Sequence, residues 1–418
     1  VPNMTLDRAL AESKELKRRY DDEPQVHDLL DMARKMEGMP RNASTHAAGV
    51  VITDKPVAEY VPLAKNGDAI VCQYTMTTLE ELGLLKMDFL GLRNLSVIHD
   101  AEQMIQKVKP DFRIDKIPLD APEVYAMFTA GNTDGVFQFE SAGMRSVLQQ
   151  LGPERLEDLI AVNSLYRPGP MESIPQYIRN RHHPEEIKYD HPLLEPILKV
   201  TYGCIIYQEQ VMQIFRSLAG YSLGRADIVR RAMSKKKHDV MEREKEIFVH
   251  GLQAKDGTWE VPGCLKNGVD EQTALKIYDK MENFASYAFN KSHAAAYAVV
   301  AFQTAYLMHY YPVEFTAAML NSVKGDSEKV AYYIRFAKNK GIKILPPSIN
   351  ESCAKFTVEN GCIRFGLSAV KNVGENIIDS IVGSRNQHGK FKDLADFCNS
   401  IDIGAINKRV VESLIKAG

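Results

Sequence analysis

Asp88 is a lone carboxylate in an apolar run, Leu84-Leu85-Lys86-Met87-Asp88-Phe89-Leu90. Burying a charge among such neighbours is costly unless it is paired or binds a cation. Strand alternation puts Lys86 on the same face as Asp88 and sends Leu85, Met87 and Phe89 to the opposite, buried face. Two chemistries are open at this point. One is a strand-end ion pair between Lys86 and Asp88. The other is catalytic, with Asp88 as a Mg²⁺ ligand and Lys86 turned toward phosphate. Magnesium takes oxygen ligands, and two-metal phosphoryl transfer needs more than one carboxylate. The sequence has no D-x-D strand motif to supply the others, so the remaining ligands are expected outside this chain.

Asn290-Lys291-Ser292-His293 precedes a long apolar-periodic run. With Ser292 as the expected N-cap, a lysine, a hydroxyl, an imidazole and free backbone amides gather at a positive helix end, which suits phosphate. An ordinary cap with exposed flanks is the bland alternative. Arg230-Arg231 and Lys235-Lys236-Lys237, with Arg225 before them, form the densest basic cluster. They suit an anionic ligand, or a solvated face balanced by Glu242, Glu244 and Glu246. Ile228, Val229, Ala232 and Met233 interleave with the arginines as a packed face would. Arg167-Pro168-Gly169-Pro170 fixes a stiff loop headed by one guanidinium. Tyr207-Gln208-Glu209-Gln210 reads only as the first turn of a helix.

Val370-Lys371-Asn372-Val373-Gly374-Glu375 resembles a helix-hairpin-helix turn, in which Gly374 frees the next helix's amides to hold a DNA phosphate beside Lys371. Asn407-Lys408-Arg409 opens a second such unit, with a plain αα-hairpin as the alternative.

Periodicity places these residues on elements. Residues 1 to about 40 read as helix. Three short strands follow, near 46–52, 70–74 and 84–90, with one connecting helix. Helices are expected at Leu95–Lys107, Pro122–Ala130, Gly143–Leu151, Gln208–Leu218, Arg225–Met233, Asp270–Phe284 and Ser292–Tyr310. Past Pro346-Pro347, strands around Phe356 and Ile363 lead into two small helical hairpins.

At 418 residues the chain exceeds what one hydrophobic core supports, so several domains are expected. Its 52 Lys plus Arg against 54 Asp plus Glu remove the simplest mark of a nucleic-acid protein, a strongly basic chain, without excluding a local basic channel. The longest apolar-looking stretch, Ala294 to Tyr311, is broken by Gln303, Thr304 and His309, so no membrane association is expected. The six cysteines, Cys72, Cys204, Cys264, Cys353, Cys362 and Cys398, show no C-x-x-C spacing and read as reduced, buried thiols of a cytoplasmic protein. A start at Val1-Pro2-Asn3 and a stop at Lys416-Ala417-Gly418 suggest a piece of something larger.

Seven motifs occur together in order: Arg41-Asn42-Ala43-Ser44-Thr45-His46-Ala47-Ala48-Gly49, Leu85-Lys86-Met87-Asp88-Phe89-Leu90-Gly91, Gly135-Val136-Phe137-Gln138-Phe139-Glu140-Ser141, Tyr166-Arg167-Pro168-Gly169-Pro170, Tyr207-Gln208-Glu209-Gln210-Val211-Met212, Arg230-Arg231-Ala232-Met233 and Phe289-Asn290-Lys291-Ser292-His293. The set resembles the alpha subunits of bacterial DNA polymerase III, the C-family replicases, and is closer to their DnaE type than to their PolC type.

The resemblance implies an α+β fold. A small Polβ-like palm fragment is followed by a large, mostly helical fingers domain and a helix-hairpin-helix region. It implies the end of the thumb at 1–43, the second part of the palm as a mixed sheet at 44–93, fingers at 94–350 and the DNA-binding region from 351 to 418. It further implies a DNA-directed DNA polymerase, a nucleotidyltransferase joining deoxynucleotides to a primer 3′-hydroxyl. Two Mg²⁺ ions would be held by three palm aspartates, of which only Asp88 lies here, so the isolated chain should be inactive. Arg230, Arg231, Asn290, Lys291, Ser292, His293 and Arg167 would bind nucleotide. Lys371, Gly374, Lys408 and Arg409 would bind DNA. Primer-template DNA and deoxynucleoside triphosphates are the implied partners, with a sliding clamp and other replisome subunits engaged through regions outside the chain. A non-catalytic nucleic-acid-binding module, needing the hairpins but not Asp88, is one alternative. A metal-dependent hydrolase built on Asp88, His46 and His293 is another.

Overall fold

The computed structural model describes residues 4–39, 42, 44–234, 238–285, 287–401 and 407–417. Arg41 and Ala43 of the first motif, and the run Lys235-Lys236-Lys237, lie outside the described residues. The chain divides into two compact units, Val1–Gly91 and Leu92–Gly418.

The first unit opens with three helices, α1 (Leu6–Glu12), α2 (Lys14–Asp22) and α3 (Pro24–Met36). Side chains of Thr5 and Ser13 cap the first two, and Pro24 sits at the first turn of the third, where its missing N–H costs nothing. Four strands follow rather than the three expected: β1 (Gly49–Ile52), β2 (Leu63–Asn66), β3 (Ala69–Cys72) and, after α4 (Met76–Glu81), β4 (Leu85–Asp88). The strand missed by sequence, β2, pairs with β3 around Gly67, whose φ of +62° makes the tight turn.

The expected mixed sheet does not form among the described residues. The strands make two separate antiparallel ribbons, β1 with β4 and β2 with β3. A parallel pair needs a long crossover, and β2 to β3 offers only a hairpin turn. The burial expected for the apolar side of β4 is also corrected. Leu85, Met87 and Phe89 are exposed, as are Val50 and Ile52 of β1. Period-two alternation itself holds, but a two-stranded ribbon brings no second layer to cover that face.

The second unit is helical, with two small sheets among the described residues. Its first half holds α5 (Arg93–Gln106), α6 (Pro122–Thr129), α7 (Ala142–Leu151), α8 (Leu156–Leu165), α9 (Ile174–His182), α10 (Glu195–Leu198), α11 (Gln208–Ala219), α12 (Leu223–Ser234) and α13 (His238–His250). A hairpin, β5 (Leu252–Gln253) with β6 (Trp259–Val261), interrupts the helices where the sequence pattern gave no strand signal. Then come α14 (Glu271–Ala285), α15 (Lys291–Tyr310), α16 (Pro312–Ser322) and α17 (Ser327–Asn339).

These helices build two neighbouring cores. One gathers α5 to α9, α15 and α16 around Phe128, Phe139, Phe302 and Phe315. Within it α15 packs on α8, α5, α6 and α16. Ala294, Ala298, Ala301 and Ala305 are all fully buried on that helix, and their small size lets the neighbours approach closely. The other core, α10 to α14, closes on the rings of Phe215, Phe248 and Tyr278.

The chain passes from the first core into α11 through Tyr207 and returns from α14 to it through Phe289, and these two residues pair in an isolated parallel bridge. Gln208 N–H donates to the Phe289 carbonyl at 2.9 Å, and Phe289 N–H donates to the Ile206 carbonyl at 3.2 Å. The start of α11 and the start of α15 are therefore neighbours.

Beyond α17, strand β7 (Ile344–Leu345) pairs parallel with β9 (Cys362–Arg364), which pairs antiparallel with β8 (Thr357–Glu359). Asn321 fastens the adjoining loop to α16, donating to the Phe356 carbonyl and accepting from its N–H. Helices α18 (Glu375–His388), α19 (Leu394–Ser400) and α20 (Lys408–Ala417) close the chain around Ile378, Ile381 and Phe397. No described helix is long and apolar enough to cross a membrane. All six cysteines are free, but only Cys204 and Cys264 are buried. Cys353 and Cys398 are exposed, which corrects the expectation of buried thiols.

Candidate functional site

In the ribbon of β1 and β4, Gly49 faces Asp88 and Val51 faces Lys86, so these four residues share one side. Lys86 Nζ hydrogen-bonds and ion-pairs with Asp88 Oδ1. His46 Nε2 lies 3.9 Å from the same oxygen. Its Nδ1 accepts the Ala48 N–H at 3.2 Å, which assigns the proton of the neutral ring to Nε2, the nitrogen near Asp88. Both contacts go to Oδ1, leaving Oδ2 without a protein partner among the described residues. The hydrogen bond from Lys86, with smaller help from its positive charge, holds the Asp88 carboxyl below its usual range. The Asp88 side chain is 44% exposed and that of Lys86 13%, so the carboxylate is open to a ligand while the ammonium is tucked against the ribbon.

Gly49 makes this arrangement possible. A Cβ at that position would stand 2.8 Å from His46 Nδ1 and 2.8 Å from Lys86 Cε. Sequence reading missed Gly49, and weighed His46 only for a hydrolase. Register across the ribbon is the information it lacked.

Among the described residues Asp88 belongs to no group of three closely placed ligand side chains. The group that qualifies is the exposed trio His183, Glu185 and Glu186. Asp88 therefore fits one oxygen ligand of a larger Mg²⁺ site, not a complete cage.

At α15 the N-cap is Asn290, not Ser292. The Asn290 side-chain oxygen accepts the His293 N–H at 2.8 Å, and Ser292 falls inside the first turn, exposed. The supposedly free amides are partly taken. Glu209, at the start of α11, accepts the Lys291 N–H at 3.2 and 3.1 Å and the Asn290 side-chain N–H at 3.2 Å. Lys291 Nζ lies 5.4 Å from the centre of the Tyr207 ring. The His293 ring sits between Phe289 and Tyr297, at centroid distances of 5.4 and 4.3 Å.

Arg167 backs the same loop. Its Nε donates to the Ser164 carbonyl at 3.1 Å, its Nη2 to the Tyr287 carbonyl, and its guanidinium lies 4.4 Å from the centre of the Phe289 ring. Burial lowers its pKa. The structure thus gathers Arg167, Asn290, Lys291, Ser292 and His293, with Arg167 engaged by backbone carbonyls.

On α12, Arg230 and Arg231 share one carboxylate, Asp227, at 2.7 and 2.8 Å. Arg230 is mostly covered at 13% exposure, and Arg231 is open at 68%. Val229, Ala232 and Met233 are buried as expected, whereas Ile228 is exposed. Arg225 does not join the arginine pair. It holds the buried Glu244 at 2.8 Å and Glu260 at 2.9 Å. Nor is Glu244 the solvated counter-charge expected from sequence, because Tyr221 also donates to it.

In the last segment the turn leading to α18 is preceded by a 3₁₀ turn, Leu367–Ala369, rather than a full helix. Gly374 is the N-cap, with no side-chain cap bond and an ordinary φ of −82°. An added Cβ there would meet nothing within 4 Å. Lys371 and Gly374 are exposed. Lys408 and Arg409 are exposed in the first turn of α20, which Asn407 caps by accepting the Val410 N–H.

Three family models match the chain. One described as a bacterial DNA polymerase III alpha NTPase domain matches residues 1–91, the corresponding finger domain matches 94–256, and a helix-hairpin-helix motif matches 341–418. The chain is 45% identical over 420 residues to DNA polymerase III subunit alpha of Bacillus subtilis (strain 168), covering 100% of this chain and 36% of that protein. The Thermus aquaticus subunit is 46% identical over 420 residues, covering 99% of this chain and 33% of that protein. The subunit from Borreliella burgdorferi is 44% identical over 419 residues. The chain thus spans about a third of the length of the curated relatives it matches. It belongs to the bacterial DNA polymerase III alpha subunit family.

Proposed function

We propose that this chain carries part of the active centre of a bacterial replicative DNA polymerase, a DNA-directed nucleotidyltransferase adding deoxynucleotides to a primer 3′-hydroxyl with release of pyrophosphate. The supporting observation is the Lys86–Asp88 pair on one open side of the β1–β4 ribbon, with one carboxylate oxygen unengaged. Asp88 would supply one oxygen to a pair of Mg²⁺ ions, the other carboxylates coming from elsewhere in the full-length protein. When bound, the ions favour the ionised primer hydroxyl and offset charge on the pyrophosphate. Lys86, which neutralises Asp88 here, would face the phosphates of the nucleotide.

In the helical unit, Lys291, Ser292, His293 and Arg230 would hold the triphosphate and sugar through charge-assisted contacts, with Arg231 at the rim and Asn290 shaping the turn. Both groups are tied to α11. Helix α12 packs on it, and its first turn grips the start of α15. Arg167 would act behind them, as the support of the 287–289 loop. Lys371, Gly374, Lys408 and Arg409 would hold backbone phosphates of primer-template DNA, positioning the duplex without reading its sequence. We further infer a cytoplasmic protein that meets a sliding clamp and other replisome subunits through segments outside this chain.

The test compares the 418-residue chain with the full-length enzyme in primer extension. The chain alone should not extend a primer, the full-length enzyme should, and Lys86→Ala in the latter should cut incorporation. Extension by the isolated chain, or full activity of Lys86→Ala, would contradict the assignment.

A further inference from the structure

Glu209 is a first-turn residue of α11, yet its carboxylate serves another helix. It takes the Lys291 N–H with both oxygens and the Asn290 side-chain N–H with one. Asn290 in turn caps the His293 N–H. The relay Glu209–Asn290–His293 fixes the turn from which the side chains of Lys291, Ser292 and His293 project.

The position is electrostatically unfavourable for a triphosphate site. A carboxylate at the start of α15 occupies an amide that an anion would use and adds a like charge beside it. Charge alone therefore gives it no role in binding nucleotide. Its geometry does. Helix α11 belongs to the core of α10 to α14, and α15 to the other core. The Glu209 bonds span these cores beside the chain crossings at Tyr207 and Phe289. Helix α12, bearing Arg230, packs on α11.

We propose that Glu209 is a positioning residue of the nucleotide site, holding the first turn of α15 in register with α11 so that Lys291, Ser292 and His293 meet the same triphosphate as Arg230. The proposal rests on the nucleotide-binding reading of Lys291. Each substitution has a distinct chemical consequence. Glu209→Ala removes every acceptor. Glu209→Gln keeps one oxygen for the Lys291 N–H, but its amide nitrogen cannot accept from Lys291 or Asn290.

The experiment is single-nucleotide incorporation by the full-length enzyme over a range of deoxynucleoside triphosphate concentrations, with Glu209→Ala, Glu209→Gln, Asn290→Ala and Lys291→Ala in parallel. Glu209→Ala should weaken apparent nucleotide affinity on the order of tenfold, with Glu209→Gln intermediate, because misplaced binding groups lose that much readily. Primer-template affinity should be unchanged. The double variant Glu209→Ala/Asn290→Ala should be little worse than either single one, since both break one relay.

Tighter nucleotide binding by Glu209→Gln would mean the carboxylate acts only as a repulsive charge, and would overturn the proposal. Unchanged kinetics in Glu209→Gln and Glu209→Ala, with Lys291→Ala impaired, would overturn it while leaving the nucleotide site standing. An unaffected Lys291→Ala would instead remove the nucleotide site itself. If Glu209→Ala fails to fold, the Glu209→Gln and Asn290→Ala comparison carries the same decision.

Discussion

Gly49 stands directly opposite Asp88 across the β1–β4 ribbon, and the space above it is filled by the Lys86 stem and the His46 ring. A methyl group there must displace one of the two side chains that address Asp88. Gly49→Ala in the full-length enzyme should therefore slow nucleotide incorporation, while overpacking costs about 1–3 kcal/mol of stability. Wild-type incorporation by a folded Gly49→Ala protein would show that the arrangement around Asp88 is not needed.

Asp88 gives a pH expectation with a definite sign. Its folded pKa is depressed, chiefly by the Lys86 hydrogen bond. Whatever the pair contributes to folding is thus present above the unfolded value of about 3.9 and lost as pH falls through the lower folded value. An acid limb of the pH–rate profile near neutrality should not belong to Asp88. Carboxyl NMR should find Asp88 titrating below the usual range, and Lys86→Met should move it upward. An Asp88 titration unaltered by Lys86→Met would refute the cause.

Ribbon alternation and the helices that became α5, α6, α7, α11, α12, α14 and α15 were legible in the residues, whereas α8, α9, α10, α13, α16 and α17 were not foreseen. Lys86 and Asp88 do share a side. What stayed hidden depends on partners distant in sequence. Asn290, not Ser292, caps α15, because Glu209 from 81 residues away fixes the side chain that reaches His293. Arg225 looked like part of a basic cluster until Glu244 proved to be buried against it. The exposed Leu85 and Met87 could not be foreseen, since alternation tells which residues share a side and not whether anything covers it.

Arg230 and Arg231 differ in how Asp227 holds them. Arg230 is covered and bound through both Nε and Nη2, whereas Arg231 is open. Arg230→Ala should raise the apparent KM for deoxynucleotide more than Arg231→Ala does, as loss of an oriented charge-assisted contact. Steady-state kinetics on the full-length enzyme decide this. Equal, unchanged KM values for the two variants would remove α12 from the nucleotide site.

Gly374 separates fold from function with unusual clarity. Its φ is ordinary and its surroundings are empty, so Gly374→Ala should change stability by less than about 1 kcal/mol. The added methyl should nevertheless hold a phosphate away from the first amides of α18 and weaken duplex binding several-fold. Lys371→Ala should lower the salt slope by about one unit. Fluorescence anisotropy at several salt concentrations measures both. Unaltered affinity in both variants would leave the turn a plain hairpin.

Asp88→Asn in the full-length enzyme is the most direct measurement of all. It preserves shape at an exposed position while removing the charge that a metal ligand requires. Single-turnover incorporation of one correct deoxynucleotide should fall by on the order of a thousandfold or more, as expected when an electrostatic element of the transition state is lost. Melting temperature and primer-template affinity should stay where they were. Normal turnover by the folded Asp88→Asn enzyme would contradict the assignment of this ribbon to the polymerase active centre.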